Sequence, residues 1–217
     1  LVQDPKHLNS ASDIYSLPYA IDVKDGEMTI EDILRAEIEF LMRDNKNGFF
    51  LMNEIGGKVD WACHGHDGAT AFAEVGAVDR CIKIAYEFYK QHPDETLIVV
   101  TADHETGGLV LGRKGYDLHL DVVGNQRMSI EKLGKELHKL HDKHGEKYNW
   151  DIVKAFLAEN FGFWTKVSLS DAQTTRLQEA LNNIMSGKGQ STETLYQKDD
   201  ELATTVRKIL AECALVG

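Results

Sequence analysis

The sequence predicts an α/β fold, as a fragment of a doubly wound, mostly parallel sheet with a helix-rich inserted segment, and three observations carry that prediction. Two short, wholly apolar runs, Phe49–Met52 and Leu97–Val100, suit strands buried on both faces. Between them Phe72, Val75, Val78, Ile82, Ala85 and Tyr89 recur at spacings of three and four, the stripe of an amphipathic helix. Strand, helix and strand in that order imply a right-handed crossover joining parallel neighbours. Beyond about residue 129 the pattern becomes helix after helix. The expected organisation is therefore an α/β core over 1–112, followed by a helix-rich insertion or cap over 113–217 that returns toward the core at its end.

Each element has its own local reason. Residues 1–28 read as irregular, with turn formers around Pro5, Asn9–Ser10 and Pro18. Thr29 with Asp32 forms a capping-box pattern, and Ile33, Ile38 and Leu41 give the helix that follows one apolar face. Asn45–Gly48 ends it with turn chemistry, and a polar, glycine-containing stretch occupies 53–68. In the long amphipathic helix Glu74, Arg80, Lys83 and Glu87 lie off the stripe, and His92-Pro93-Asp94 stops it. Leu109–Leu111 is a third apolar run. In the helical half, breaks fall near Gly145, Gly162 and Gly187, and Ser170 with Gln173 opens a helix through Leu177, Leu181 and Ile184. Ser186–Ser191 reads as a linker, because its glycines match no phosphate-binding pattern.

Composition narrows the function. The 217 residues, 42% hydrophobic and 27% charged, are ordinary for a globular chain able to bury a core. A net charge of −11 argues against nucleic acid or an anionic membrane surface as partner, since both require a basic face. It leaves a phosphorylated substrate open, because bound divalent cations can invert the local field. No apolar run approaches the roughly 20 residues that span a bilayer, and no signal-peptide pattern is visible. Three cysteines form neither an even framework nor a CxxC pair, so they read as buried thiols.

The chemistry collects just past the two apolar runs. After Phe49–Met52 come Glu54, Asp60, His64, His66 and Asp67; after Leu97–Val100 come Thr101, Asp103, His104 and Glu105. In an open parallel sheet, ligands gather outside the carboxyl ends of the strands, and neighbouring strands lie about 5 Å apart. Mixed carboxylate and imidazole donors suit zinc, and an all-oxygen set suits magnesium. Each part also has a plain alternative. Asp60 and His64 are four apart and can pair on a helical turn, and Asp103-His104 can cap a helix. The crowding of Thr-Ala-Asp-His-Glu-Thr-Gly-Gly at one strand exit favours the metal reading.

At these residues the sequence resembles a known family. Gly48–Asp67 followed by Thr96–Gly108, with TADH downstream of Asp-x-x-x-His, is similar to the alkaline phosphatases, and the resemblance extends over Ile30–Gly112. It implies that Asp60 and His64 bind one zinc, that Asp103 and His104 bind a second, and that Glu54 serves a magnesium. It gives His66 and Glu105 no ligand role. It further implies in-line phosphoryl transfer from a phosphomonoester to a serine, then hydrolysis, in an enzyme that is periplasmic or extracellular and often a homodimer.

Some features depart from the family pattern. The magnesium glutamate usually stands five residues before the zinc aspartate, whereas Ile55 is interposed here and Glu54 stands six before Asp60. No Asp-Ser-Ala tripeptide occurs, so the nucleophilic serine is expected upstream of Leu1, and a further zinc histidine beyond Gly217. The expectation is a part of a zinc-dependent phosphatase that is inactive alone. The alternatives are a related metal-dependent phosphomutase or phosphodiesterase, or a non-catalytic metal-binding interaction module.

Overall fold

Thr29 opens the first helix as its sequence requires. Its hydroxyl accepts from the Asp32 amide at 3.2 Å while its own amide donates to the Asp32 carboxylate at 3.0 Å, and α1 runs Ile30–Met42. The structure is a computed structural model that describes residues 17–112, 117–193 and 198–216, with side chains omitted at 192, 193 and 198. The turn formers expected at Pro5 and Asn9–Ser10 lie outside the described residues. Helix α2 spans Gly57–His64, α3 Gly68–Gln91, α4 Leu120–Val123, α5 Ile130–His144, α6 Trp150–Phe161, α7 Asp171–Met185 and α8 Glu201–Ala214. Strands β1 (Ser191–Glu193) and β2 (Lys198–Asp200) pair antiparallel with Thr192 opposite Asp199, a hairpin in and beyond what the sequence reads as a linker.

The chain divides into two compact units. One comprises the chain up to Asp60 with Ala71–Glu105; the other comprises Trp61–Thr70 with the chain from Thr106 onward. The short segment Trp61–Thr70 thus belongs with the helical half, although it lies within the expected core range 1–112.

In the first unit Leu34, Cys81 and Ile84 form a small buried cluster, with Ile30, Ile38, Leu51 and Ile55 packed on it. The face of α3 that is buried differs from the expected stripe. Glu74, Ala77, Cys81 and Ile84 point inward at helical spacing, while Phe72 and Val75 are exposed. Two physical facts explain the rotation. Ala77 and Cys81 are small and permit close approach, and Glu74, only 2% exposed, accepts a hydrogen bond from the Ala20 amide at 2.6 Å. Hydrophobicity alone put Glu74 on the wrong side.

The predicted strands are also corrected. Phe49–Met52 and Leu97–Val100 enter no ladder among the described residues, and the sheet expected of the fold class is not shown. Phe50 and Leu97 are each 87% exposed, with Met52, Val99 and Val100 exposed beside them. A strand exists by pairing its backbone with neighbours, and the described residues place none beside these runs. Of the third run, only Leu111 makes a single antiparallel bridge, to Val216.

The second unit is helical as expected and holds the larger core. Leu133, Val153, Leu157, Phe161, Phe163, Leu177, Val206 and Ile209 are fully buried, each worth about 1.5–3 kcal/mol. Helix α8 lies at its centre, touching α4, α5 and α7. The predicted breaks fall where helices end. Gly162, at φ 70°, supplies the left-handed residue after α6, where a side chain would meet Asn125. Ser170 and Gln173 form the capping box of α7.

Candidate metal centre

Helix α2 is short and poorly anchored, and its termini are built by local chemistry. Asp60 N donates to Gly56 O at 2.8 Å at its start. At its end His66 N donates to Cys63 O and Asp67 N to Ala62 O, both at 2.9 Å, the doubly bridged ending that requires a left-handed residue. His66 occupies that position at φ 52°, where glycine is usual. His66 is therefore a helix terminator.

Asp67, grouped by sequence with the potential ligands, has a different task. Its carboxylate accepts from Thr70 N (3.3 Å), Thr70 Oγ1 (2.7 Å), Gln126 Nε2 (2.8 Å) and Ile130 N (2.8 Å). It caps α3 and fastens the segments leading into α5. Burial pushes its pKa up, and the four donors oppose that push.

Asp60 and His64 sit one turn apart on α2, so the helix aims both side chains the same way. In the first unit, His104 Nδ1 lies 4.0 Å from Asp60 Oδ1. In each of these two pairs the ligand atoms come within 4.8 Å of one another. In the first unit the donors are a carboxylate oxygen and an imidazole nitrogen, both of which zinc accepts. His104 follows the bend at Asp103 and is held locally: its amide donates to Asp103 Oδ1 at 3.1 Å, and Nδ1 meets the Glu105 carbonyl at 2.6 Å. A carbonyl can only accept, so Nδ1 carries the proton and Nε2 presents its lone pair, 3.7 Å from Asp103 Oδ2. Metal-bound histidines ordinarily donate their other ring nitrogen in this way. The Glu105 carbonyl, then Asp103 and Asp60, raise the His104 pKa.

The remaining sequence candidates fall apart from this group. Glu54 is exposed because its neighbour Ile55 takes the inward place in the small cluster, and Glu54 belongs to no ligand group among the described residues. Asp103 is exposed, Glu105 contributes its backbone, and Thr101 Oγ1 donates to the Ala102 carbonyl. Sequence reasoning missed Gly107. At φ 67° its backbone lies against His64 so closely that a Cβ would come 2.6 Å from His64 Nδ1 and 2.8 Å from His64 Cα. The signal was available in the Thr-Gly-Gly that ends the TADHETGG segment.

The chain is similar to several known proteins. The chain is 34% identical over 122 residues to alkaline phosphatase 4 of Bacillus subtilis (strain 168), covering 56% of this chain and 26% of that protein. It is 32% identical over 163 residues to the repressible alkaline phosphatase of Saccharomyces cerevisiae, covering 67% of this chain and 28% of that protein. The crystal structure of a cold-active alkaline phosphatase from a psychrophilic Shewanella superposes with a TM-score of 0.69 at 26% identity, covering 93% of this chain and 43% of that one. The chain thus spans about a quarter of the length of the two sequence relatives. Since the alkaline phosphatase family model matches residues 13–197, most of the sequence, the chain belongs to the alkaline phosphatase family.

Proposed function

We propose that this chain supplies metal ligands to a zinc-dependent phosphomonoester hydrolase, with Asp60 and His64 holding one zinc and Asp103 and His104 a second. The observation that carries the reading is the placement of Asp60 and His64 one turn apart on α2, which aims both side chains the same way. Zinc, when bound, would lower the pKa of an attacking oxygen and stabilise a leaving one. The chain's own part is to aim these donors. The Glu105 carbonyl fixes the His104 tautomer, and Gly107 lets the backbone close on His64. Glu54 is the proposed magnesium ligand from the family pattern, and an outward Glu54 makes that ion's grip depend on movement of the Glu54–Gly57 turn. The substrate is a phosphomonoester, the protein is exported, and a homodimer is its assembly on this reading.

On this reading the chain alone turns over no phosphomonoester. The test combines zinc content after equilibrium dialysis with hydrolysis of p-nitrophenyl phosphate in zinc and magnesium. Bound zinc that falls in Asp60→Asn and in His64→Gln, without turnover, supports the reading. Zinc no higher than in a chelator-treated control removes the metal assignment. Turnover abolished by Asp103→Ala shows instead that the chain is catalytically complete.

A further inference from the structure

We propose that Lys58 is a positioning residue for the metal ligands of α2, acting by clasping the segment Leu17–Asp22 to the side of the helix opposite Asp60. The inference rests on the metal assignment above and concerns what holds the ligands in place.

The problem it solves is mechanical. Helix α2 has eight residues, below the roughly 12–15 at which an isolated helix is even marginal in water. Its buried side chains are Ala62 and Cys63, both small, which resist rotation about the helix axis weakly. Yet a ligand carboxylate about 5–6 Å from that axis moves about 2 Å for a roll of about 20°. Metal–ligand distances hold to about 0.2 Å. Something must fix the roll.

Lys58 is placed to do so. Residues two apart on a helix point about 200° apart, so Lys58 faces away from Asp60. Its Nζ donates to the Leu17 carbonyl in a close hydrogen bond and sits 4.9 Å from the centre of the Tyr19 ring. The segment it grips is itself fixed. Asp22 N and Val23 N donate to Tyr19 O at 2.7 and 3.1 Å, closing a short 3-10 turn over Ala20–Asp22. The Ala20 amide donates to buried Glu74 of α3. The strap therefore has one anchor on α2 and one on α3, and the Lys58 and Glu74 charges attract across it. All of these residues lie within the first unit.

The experiment is a cobalt(II) titration of the whole chain followed by visible absorption, with amide hydrogen exchange measured on the metal-free protein. The variants are Lys58→Met, Lys58→Arg and Asp60→Asn. Lys58→Met keeps the length of the side chain and removes its donors. It is expected to weaken cobalt binding about tenfold, to shift the visible bands, and to speed exchange of the α2 and Ala20 amides. Lys58→Arg is expected to restore both to within about threefold. Should Lys58→Met fail to fold, Tyr19→Leu removes the ring contact alone and is expected to give the same spectral shift. Loss of cobalt in Asp60→Asn with wild-type affinity and spectrum in Lys58→Met overturns the role of Lys58 and leaves the metal assignment standing. A wild-type chain that takes no cobalt, or an Asp60→Asn chain that binds it as well as wild type, overturns both.

Discussion

Replacing Asp199 with asparagine is expected to stabilise the protein at alkaline pH and to flatten its pH dependence. Asp199 lies in β2, 1% exposed, and neither carboxylate oxygen has a hydrogen-bond partner among the described residues. Around it stand Arg207 of α8, which favours its charge, and Asp200, Asp67 and Glu131, which oppose it. Burial is the largest effect and pushes its pKa from 3.8 up to about 7. The sign follows directly. Because the folded value is raised, the stabilisation is fully present below 3.8 and is lost as pH rises through about 7. The gap of about three pH units, at about 1.4 kcal/mol each, makes about 4 kcal/mol in all, of which about 3 kcal/mol separates pH near 5 from pH near 8. Asparagine matches the neutral carboxyl in shape and does not titrate, so Asp199→Asn should exceed wild type by about 1 kcal/mol near pH 5 and by about 4 kcal/mol near pH 8. Urea unfolding followed by tryptophan fluorescence measures this, with Trp150 and Trp164, whose rings meet edge-on at 5.8 Å, reporting on the second unit. Stability profiles of the two proteins that run parallel from pH 5 to pH 8 refute the reasoning.

Three other substitutions probe the surroundings of the metal centre. His66→Gly relieves a left-handed backbone and should raise stability by about 0.5–1 kcal/mol without changing zinc content; a lower urea midpoint or a loss of zinc contradicts its role as a terminator. Gly107→Ala forces a methyl group to within 2.6 Å of His64 Nδ1 and should lower zinc affinity at least about tenfold, whereas unchanged zinc retention on dialysis rules out the close approach as a constraint. Asp67→Ala removes four hydrogen bonds from buried donors and should cost about 3 kcal/mol or more in urea unfolding, with a cost under about 1 kcal/mol arguing that the segments it joins are held by packing alone.

Helices written by local chemistry were legible in the sequence. Thr29 with Asp32, Ser170 with Gln173, and the glycines at 145, 162 and 187 each set an end that the structure keeps. These signals involve residues three or four apart and need no distant partner. The strands were another matter. Phe49–Met52 and Leu97–Val100 have the composition of buried strands, but composition does not supply the backbone neighbour that makes one. The α3 face failed for a related reason. The stripe Phe72–Val75–Val78 is the more hydrophobic, yet what selects the buried face is the amide of Ala20, 54 positions from Glu74. The β1–β2 hairpin was invisible because its residues are polar, and the core contribution of Asp199 is a buried acid that hydropathy places outside.

The metal-ligand candidates divide along the same line. That Asp60 and His64 share one side of a helix was readable because its period brings residues four apart together. Asp103 and His104 were readable only as a dense polar segment, and the structure adds what spacing could not: the Glu105 carbonyl that decides which His104 nitrogen is available. Glu54 shows the limit. Motif counting recorded one extra residue before Asp60, and the structure gives its consequence, since Ile55 occupies the inward place beside Leu34 and Cys81 and turns Glu54 out. Restoring the inward carboxylate therefore requires exchanging the two side chains. A double variant, Glu54→Ile with Ile55→Glu, places the acid five residues before Asp60, where the family pattern has it. Burial of an unpartnered carboxylate costs several kcal/mol, so the exchange should destabilise the metal-free chain and regain stability on adding magnesium. Thermal unfolding with and without magnesium reads that difference, and a variant that magnesium fails to stabilise shows that position alone does not make the site.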